Sequence, residues 1–210
     1  MNKIQNQEIP KKGKTQSKKY TKRGPGKKIV KSVPIFSANC AGCQSKLQSL
    51  VDNVNHVGAG IFTLQETHFK RKGKLNYKFP EFQIFEAIRI KQKGGTAIGA
   101  HKSLEPVLIE EYSEEFELIV VEIKMGGKEV RIITGYGPQE NWKRDERLPF
   151  FQALEDEIVK AISSDKLVYI QMDANSKLGP DMIKGDPHAQ SDNGKILAAI
   201  IKRNALKKEH

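Results

Sequence analysis

Between residues 82 and 136 the chain passes through four strand-like runs with no long helical pattern between them. That feature limits the fold more than any other. The runs are Phe82 to Ile90, Gly95 to Ala100, Phe116 to Lys124 and Val130 to Tyr136. Gly126-Gly127 separates the last two, and a two-residue primed turn needs the positive φ that glycine tolerates. This section therefore reads as antiparallel. Before it, Val33-Pro-Ile-Phe36 reads as a short strand ending at Ser37-Ala38-Asn39. Leu47, Leu50, Val51 and Val54 then recur at helical spacing, predicting a helix over 44–56 that Gly58 and Gly60 stop. Ile61-Phe-Thr-Leu64 is the next strand, and a basic loop from Lys70 to Lys74 follows it. After the antiparallel section, Leu148, Phe151, Leu154, Ile158 and Ile162 mark a helix face, with Pro149 placed in its first turn. Lys166 to Met172 reads as a strand. A polar loop from Ser176 to Asn193 leads to a last helix that opens at Asp192-Asn193-Gly194. Mixed strands with helices before and after them predict an α/β fold, two packed sheets with helices outside. At 210 residues the chain suits one globular domain.

The net charge of +11 is unevenly placed. Residues 1–31 hold eleven Lys and Arg against Glu8 alone, a net +10, so residues 32–210 are nearly neutral. The arm has few sizeable apolar residues (Ile4, Ile9, Tyr20, Ile29 and Val30). It cannot bury enough apolar surface to offset its ordering entropy, so it is expected to be a disordered basic tail. Its paired clusters Lys11-Lys12, Lys18-Lys19, Lys22-Arg23 and Lys27-Lys28 fit a nuclear-import or nucleic-acid-binding arm, and equally a generic solvated tail. The expected location is nuclear, with the cytoplasm as the alternative. No stretch has signal-peptide or membrane-spanning length, so no membrane partner is expected.

Two cysteines, Cys40 and Cys43, stand in the order Cys-Ala-Gly-Cys. The spacing suits a redox dithiol or half a zinc site. Zinc needs two more ligands, and no second cysteine pair or close histidine pair exists. Two thiols in a chain without a signal peptide fit a reducing compartment.

Polar residues collect where these strands end: Asn39, Glu66, Tyr136, Asp173 and Asn175. Each has a plain reading. Asp173 and Asn175 both favour turns, Asn39 suits a turn cap, and Glu66 suits a surface. In an extended chain Asp173 and Asn175 would share a face. Taken together, the five suit water activation near a phosphate. Glu66 is a hard oxygen ligand suited to Mg²⁺, which takes few protein carboxylates and keeps several waters. Asn39 would ligate or orient one of those waters. Asp173 would take a proton from the attacking water, Asn175 would hold that water or a phosphate oxygen, and the Tyr136 phenol would donate to a non-bridging oxygen.

The runs Phe36-Ser-Ala-Asn39, Leu64-Gln-Glu66-Thr-His, Gly94-Gly-Thr-Ala-Ile-Gly99, Gly135-Tyr136-Gly-Pro138 and Met172-Asp173-Ala-Asn175-Ser-Lys-Leu-Gly179 occur in this order. Together they resemble the endonuclease/exonuclease/phosphatase superfamily over residues 33–205. The closer likeness is to the endonuclease domain of non-LTR retrotransposons or host proteins derived from them. The resemblance implies a four-layered α/β sandwich and hydrolysis of phosphodiester bonds, usually in DNA, with Mg²⁺ as cofactor and Mn²⁺ as a substitute. It implies Glu66 and Asn39 as the metal shell, and Asp173, Asn175 and Tyr136 as the catalytic set. Met172 stands where many members have Gly, and Cys43 stands at a usually apolar helix position.

One block of the pattern has no counterpart. The superfamily adds a late Asp and a Ser-Asp-His motif, and nothing here matches: Asp192 precedes a helix, His188 sits in Pro-His-Ala, and His210 follows Lys-Lys-Glu. The expected domain, residues 32–210, therefore lacks its last strands, and a downstream domain or another chain would complete the sheet. Losing one phosphate partner would cost a few kcal/mol of transition-state stabilisation, so weak or no hydrolysis is expected. The alternative from another class is a non-catalytic nucleic-acid binder working through the basic tail. A dithiol redox role for Cys40 and Cys43 is a third.

Overall fold

The computed structural model describes residues 32–89, 94–113, 116–184 and 188–206. The basic arm 1–31, Ile90 and His210 lie outside the described residues. The first sheet holds β1 (Ile35–Asn39), β2 (Ile61–Gln65), β3 (Phe82–Ala87) and β4 (Thr96–His101) in the order β1-β2-β4-β3. The second holds β5 (Val107–Tyr112), β6 (Glu117–Met125), β7 (Lys128–Tyr136) and β8 (Leu167–Asp173) in sequence order. Both sheets are mixed: β1 runs parallel to β2 and β7 parallel to β8, while the other pairs are antiparallel. Helix α1 (Leu47–Val57) covers the first sheet, and α2 (Arg144–Ser163) and α3 (Asp192–Arg203) cover the second. The result is a four-layered α/β sandwich.

The layers follow from strand periodicity. On β6, Leu118 and Val120 face the helices, whereas Ile119, Val121 and Ile123 face the other sheet. On β2, Ile61 enters the inter-sheet core while Phe62 and Leu64 pack beneath α1. The Phe62 ring lies 4.5 Å from Phe79 and 5.2 Å from Phe82, directly over Gly99. A Cβ at Gly99 would come within 2.3 Å of that ring, so only glycine leaves it room. Burying such a ring contributes about 1.5–3 kcal/mol. The β6–β7 hairpin closes on Gly126 (φ 60°) and Gly127 (φ 82°), as the glycine pair predicts. Gly58 ends α1 in the left-handed region, its N–H donating back to Asn55.

Several boundaries differ from those read in the sequence. Strand β1 starts at Ile35 and runs through Asn39, so Ser37 and Ala38 belong to the ladder with β2. A 3-10 turn, Gln44–Lys46, precedes α1. Helix α2 begins at Arg144, which moves Pro149 beyond the first turn. The face of α2 is also rotated: Phe150, Phe151, Leu154 and Ile158 are buried, while Leu148 and Ile162 are exposed. Strand β5 was not anticipated. Its Val107-Leu-Ile is exposed, and a register shift near Glu110 breaks the alternation that marks a half-buried strand.

Candidate active site

Four strand ends meet at one end of the sandwich. Asn39, last in β1, pairs with Gln65, last in β2; Tyr136, last in β7, pairs with Asp173, last in β8. Two parallel pairs, one in each sheet, thus deliver their C-terminal ends together. The inter-sheet space turns polar here: Gln65 Nε2 donates to Thr134 Oγ1 (3.3 Å) and Gln171 Nε2 to Ser37 Oγ (3.2 Å), both across the sheets.

Asn39 joins the two halves. Its Nδ2 donates to Glu66 Oε1 at 2.9 Å and to Asp173 Oδ2 at 3.0 Å. Its Oδ1 accepts from the Ala41 N–H at 3.1 Å, which orients the amide. Glu66 has left the strand with φ 52°, a left-handed conformation that costs a non-glycine residue about 1–2 kcal/mol. The backbone on either side holds it there: Gly42 N donates to Glu66 O, Thr67 N to Gly95 O, and His68 N to Gly94 O. His68 Nε2 lies 3.6 Å from Glu66 Oε2.

Asp173 and Asn175 do not share an extended face. Asn175 has φ 45°, and its N–H donates to Asp173 Oδ1 at 3.1 Å, an Asx-turn. The turn reading and the site reading therefore describe one structure, because the same turn swings the Asn175 amide to donate to Gly137 O at 2.7 Å. Gly137 N in turn donates to Asp173 O at 2.7 Å, and a Cβ at Gly137 would meet Ala174 O at 2.7 Å. Burial pushes the Tyr136 phenol above its usual range; Glu66 adds to that shift, while hydrogen bonds with Asn175 and Gln139 oppose it. At neutral pH the phenol is a protonated donor. All five residues singled out from the sequence thus lie in one hydrogen-bonded group.

Sequence reading missed two supporting clusters. Asn193, fully buried at the start of α3, accepts from Arg147 Nη1 (2.7 Å) and donates from Nδ2 to Pro138 O (2.8 Å) and Asn175 O (3.2 Å). It ties both helices to the two loops beside Tyr136 and Asp173. Glu117, paired in register with Tyr136, is buried and accepts from Gly95 N (2.8 Å) and Thr96 Oγ1 (3.1 Å). Desolvation pushes its carboxyl up to about 7, against those two hydrogen bonds and the charge of Arg89. Arg89 Nε stands 4.0 Å from Glu117 Oε1, and the guanidinium lies 5.5 Å from the centre of the Trp142 ring. Asn193 sits where a helix start was expected, and its only sequence signal was that of a cap. The partners of Glu117 lie more than twenty residues away, so no local pattern marks it.

The donor chemistry suits Mg²⁺ better than a softer ion. Two carboxylates meet at one amide, and Mg²⁺ takes one or two carboxylates and completes its shell with water. Among the described residues, no three His, Cys, Asp or Glu side chains gather as a metal cluster. The cysteines correct the expectation of free thiols. Ala41 (φ 44°) and Gly42 (φ 94°) fold the chain back, and Cys40 and Cys43 are joined as a disulfide with their Cα atoms 5.1 Å apart. Both are buried beside Phe62 and Leu64.

Two packed mixed sheets with helices outside agree with the endonuclease/exonuclease/phosphatase fold. Solved structures share it with the chain at 18% identity each. An AP endonuclease from Archaeoglobus fulgidus superimposes with a TM-score of 0.59 over 80% of this chain and 70% of its own. TDP2 from Caenorhabditis elegans gives 0.55 over 76% and 51%. D. rerio TDP2 complexed with a single-strand DNA product gives 0.54 over 68% and 60%. The chain thus spans about half the length of the C. elegans protein. No protein-family model and no curated protein sequence matches it.

Proposed function

We propose that the chain is an Mg²⁺-dependent phosphodiester hydrolase domain of DNA endonuclease type, related to those of non-LTR retroelements. One observation carries the reading. A single amide nitrogen, Asn39 Nδ2, draws together Glu66 and Asp173, carboxylates from different sheets. Nothing in a purely structural role calls for two acids converging on one amide at the open end of a sandwich. The neighbours' names, an AP endonuclease and TDP2 with a DNA product, point to the same class of substrate.

In this reading Glu66 holds the metal through its carboxylate and Asn39 keeps Glu66 and Asp173 in register. Bound Mg²⁺ supplies Lewis acidity at a phosphate oxygen. Asp173 takes the proton of the attacking water. The Asx-turn and the Gly137 contact hold Asn175 so that its amide reaches the same water or phosphate oxygen, and the protonated Tyr136 phenol donates to a non-bridging oxygen. No Ser-Asp-His occurs in the sequence, so hydrolysis by these residues alone is slow. Incubation with supercoiled plasmid and Mg²⁺ tests it. Slow nicking that Asp173→Ala abolishes is expected; nicking that survives Asp173→Ala overturns it.

A second reading rests on the +10 charge of residues 1–31: a nucleic-acid binder acting through its arm, in keeping with nuclear work. Deleting residues 1–31 separates the two. A tail-driven binder loses its affinity and salt dependence, whereas the hydrolase retains a Mg²⁺ response sensitive to Glu66→Ala.

A further inference from the structure

A cleft of about 560 Å³ opens beside the acid pair, lined by Glu66 and Tyr136 together with Arg89, Phe116, Gln139 and Trp142. Its size falls in the range of small-ligand sites, roughly 300–1,000 Å³. The mechanism above uses Glu66 and Tyr136 and leaves the rest of the wall unexplained. We propose that Trp142 and Arg89 form a seat for one unpaired nucleotide next to the scissile phosphate, Trp142 stacking on its base and Arg89 holding its phosphate. The inference rests on the nucleic-acid reading of the site and adds to it which part of the substrate is gripped, and by what.

Three features of the wall point to a nucleotide. First, Trp142 is held in place without being buried. Its backbone N–H donates to Gln139 O at 3.1 Å, closing a turn that carries the half-buried indole at the cleft wall. A half-buried indole offers a stacking surface to any base, since every base has a π-face. Second, the Arg89 guanidinium lies over that indole ring, 5.5 Å from its centre, so an aromatic surface and a cation meet at one point of the wall. Alternating base and phosphate present the matching pair. Third, the ion pair that Arg89 makes is a long one. Its Nε stands 4.0 Å from Glu117 Oε1, while Glu117 Oε2 accepts from Gly95 N and Thr96 Oγ1. Behind these groups Phe116 is braced by Tyr112 (centroids 5.3 Å apart) and Phe150 (5.8 Å), so the floor of the cleft is firm. A base paired within a duplex has no free face for Trp142, which is why the seat selects an unpaired nucleotide.

Trp142 is the chain's only tryptophan, so its emission reports this seat directly. The full chain is titrated with a short thymidine oligonucleotide and with the matching deoxyribose-phosphate oligomer that carries no bases. Binding is followed in parallel by anisotropy of a labelled strand. The base-bearing strand should quench Trp142 and the baseless one should not. Trp142→Leu should weaken binding about tenfold, with Trp142→Phe restoring most of it. Arg89→Gln should lower affinity for both oligomers and reduce the salt slope by about one. Binding seen by anisotropy with Trp142 emission unchanged, equal quenching by both oligomers, or an unaltered salt slope in Arg89→Gln would overturn the seat. Plasmid nicking reads the chemistry separately. Loss of the quench alongside Asp173-dependent nicking refutes the seat alone, and a base-dependent quench without nicking refutes the hydrolase reading while leaving the seat standing.

Discussion

Replacing Asn193 with alanine removes a side chain with no chemical role of its own in the proposal, yet it should be among the most damaging single changes in the domain. The residue is completely buried, and its amide makes three hydrogen bonds: one from Arg147 Nη1 at 2.7 Å, and two to the carbonyls of Pro138 and Asn175. The Arg147 bond is charge-assisted, worth about 1.5–3 kcal/mol, and each carbonyl bond is worth about 0.5–1.5 kcal/mol. Arg147 Nε already has no partner among the described residues, so the guanidinium would be left buried with less to hold it. The expected loss is about 3–5 kcal/mol. For a domain of this size each kcal/mol shifts Tm by roughly 2–4 °C, giving a fall of about 10 °C in calorimetry. Asn193→Asp keeps an acceptor for Arg147 but sets an oxygen against both carbonyls, and should fall between the two. A drop below about 3 °C for Asn193→Ala would refute the idea that this node ties both helices to the loops of the site.

Two further outcomes follow from the same geometry. Burial raises the Glu117 carboxyl in the folded state to about 7, against 4.5 for a free glutamate, so between these values the folded state holds a proton that the unfolded state has released. Stability should therefore fall as pH rises from about 4.5 to 7 and level off above, by up to about 3 kcal/mol. Urea midpoints between pH 5 and 8 should flatten in Glu117→Gln, and an unchanged slope would contradict the assignment. Gly137→Ala places a Cβ 2.7 Å from the Ala174 carbonyl, a backbone atom with no rotamer to escape by. Overpacking of this kind costs about 1–3 kcal/mol. The loop should shift enough to break the Asn175–Gly137 hydrogen bond, visible as a changed amide resonance at Asn175.

Much of this was legible from residue order because the local signals agreed with the final structure. Gly126-Gly127 marked its hairpin and Gly58 its helix end. Strand β5 escaped because an exposed edge strand with a shifted register has no alternation to read. The five polar strand ends were visible as residue types, but Asp173 and Asn175 were joined by a turn rather than by an extended face, since the side chain of Asp173 captures the second N–H beyond it. Glu117, Arg89, Trp142 and Asn193 were invisible for a different reason. Their side-chain partners lie from 18 to 55 residues away, so the fold alone brings them together.

The central claim is that Glu66 holds Mg²⁺ beside the base Asp173, with Asn39 keeping the two carboxylates in register. Thermal unfolding of the full chain across a Mg²⁺ titration tests it without depending on the rate of hydrolysis. A ligand at ten times its Kd stabilises by about 1.4 kcal/mol, and Tm should rise by a few degrees. Glu66→Gln should abolish the rise, and Asn39→Ala should reduce it. A Mg²⁺-dependent rise of the same size in wild type and Glu66→Gln, or no rise in wild type, would contradict the account.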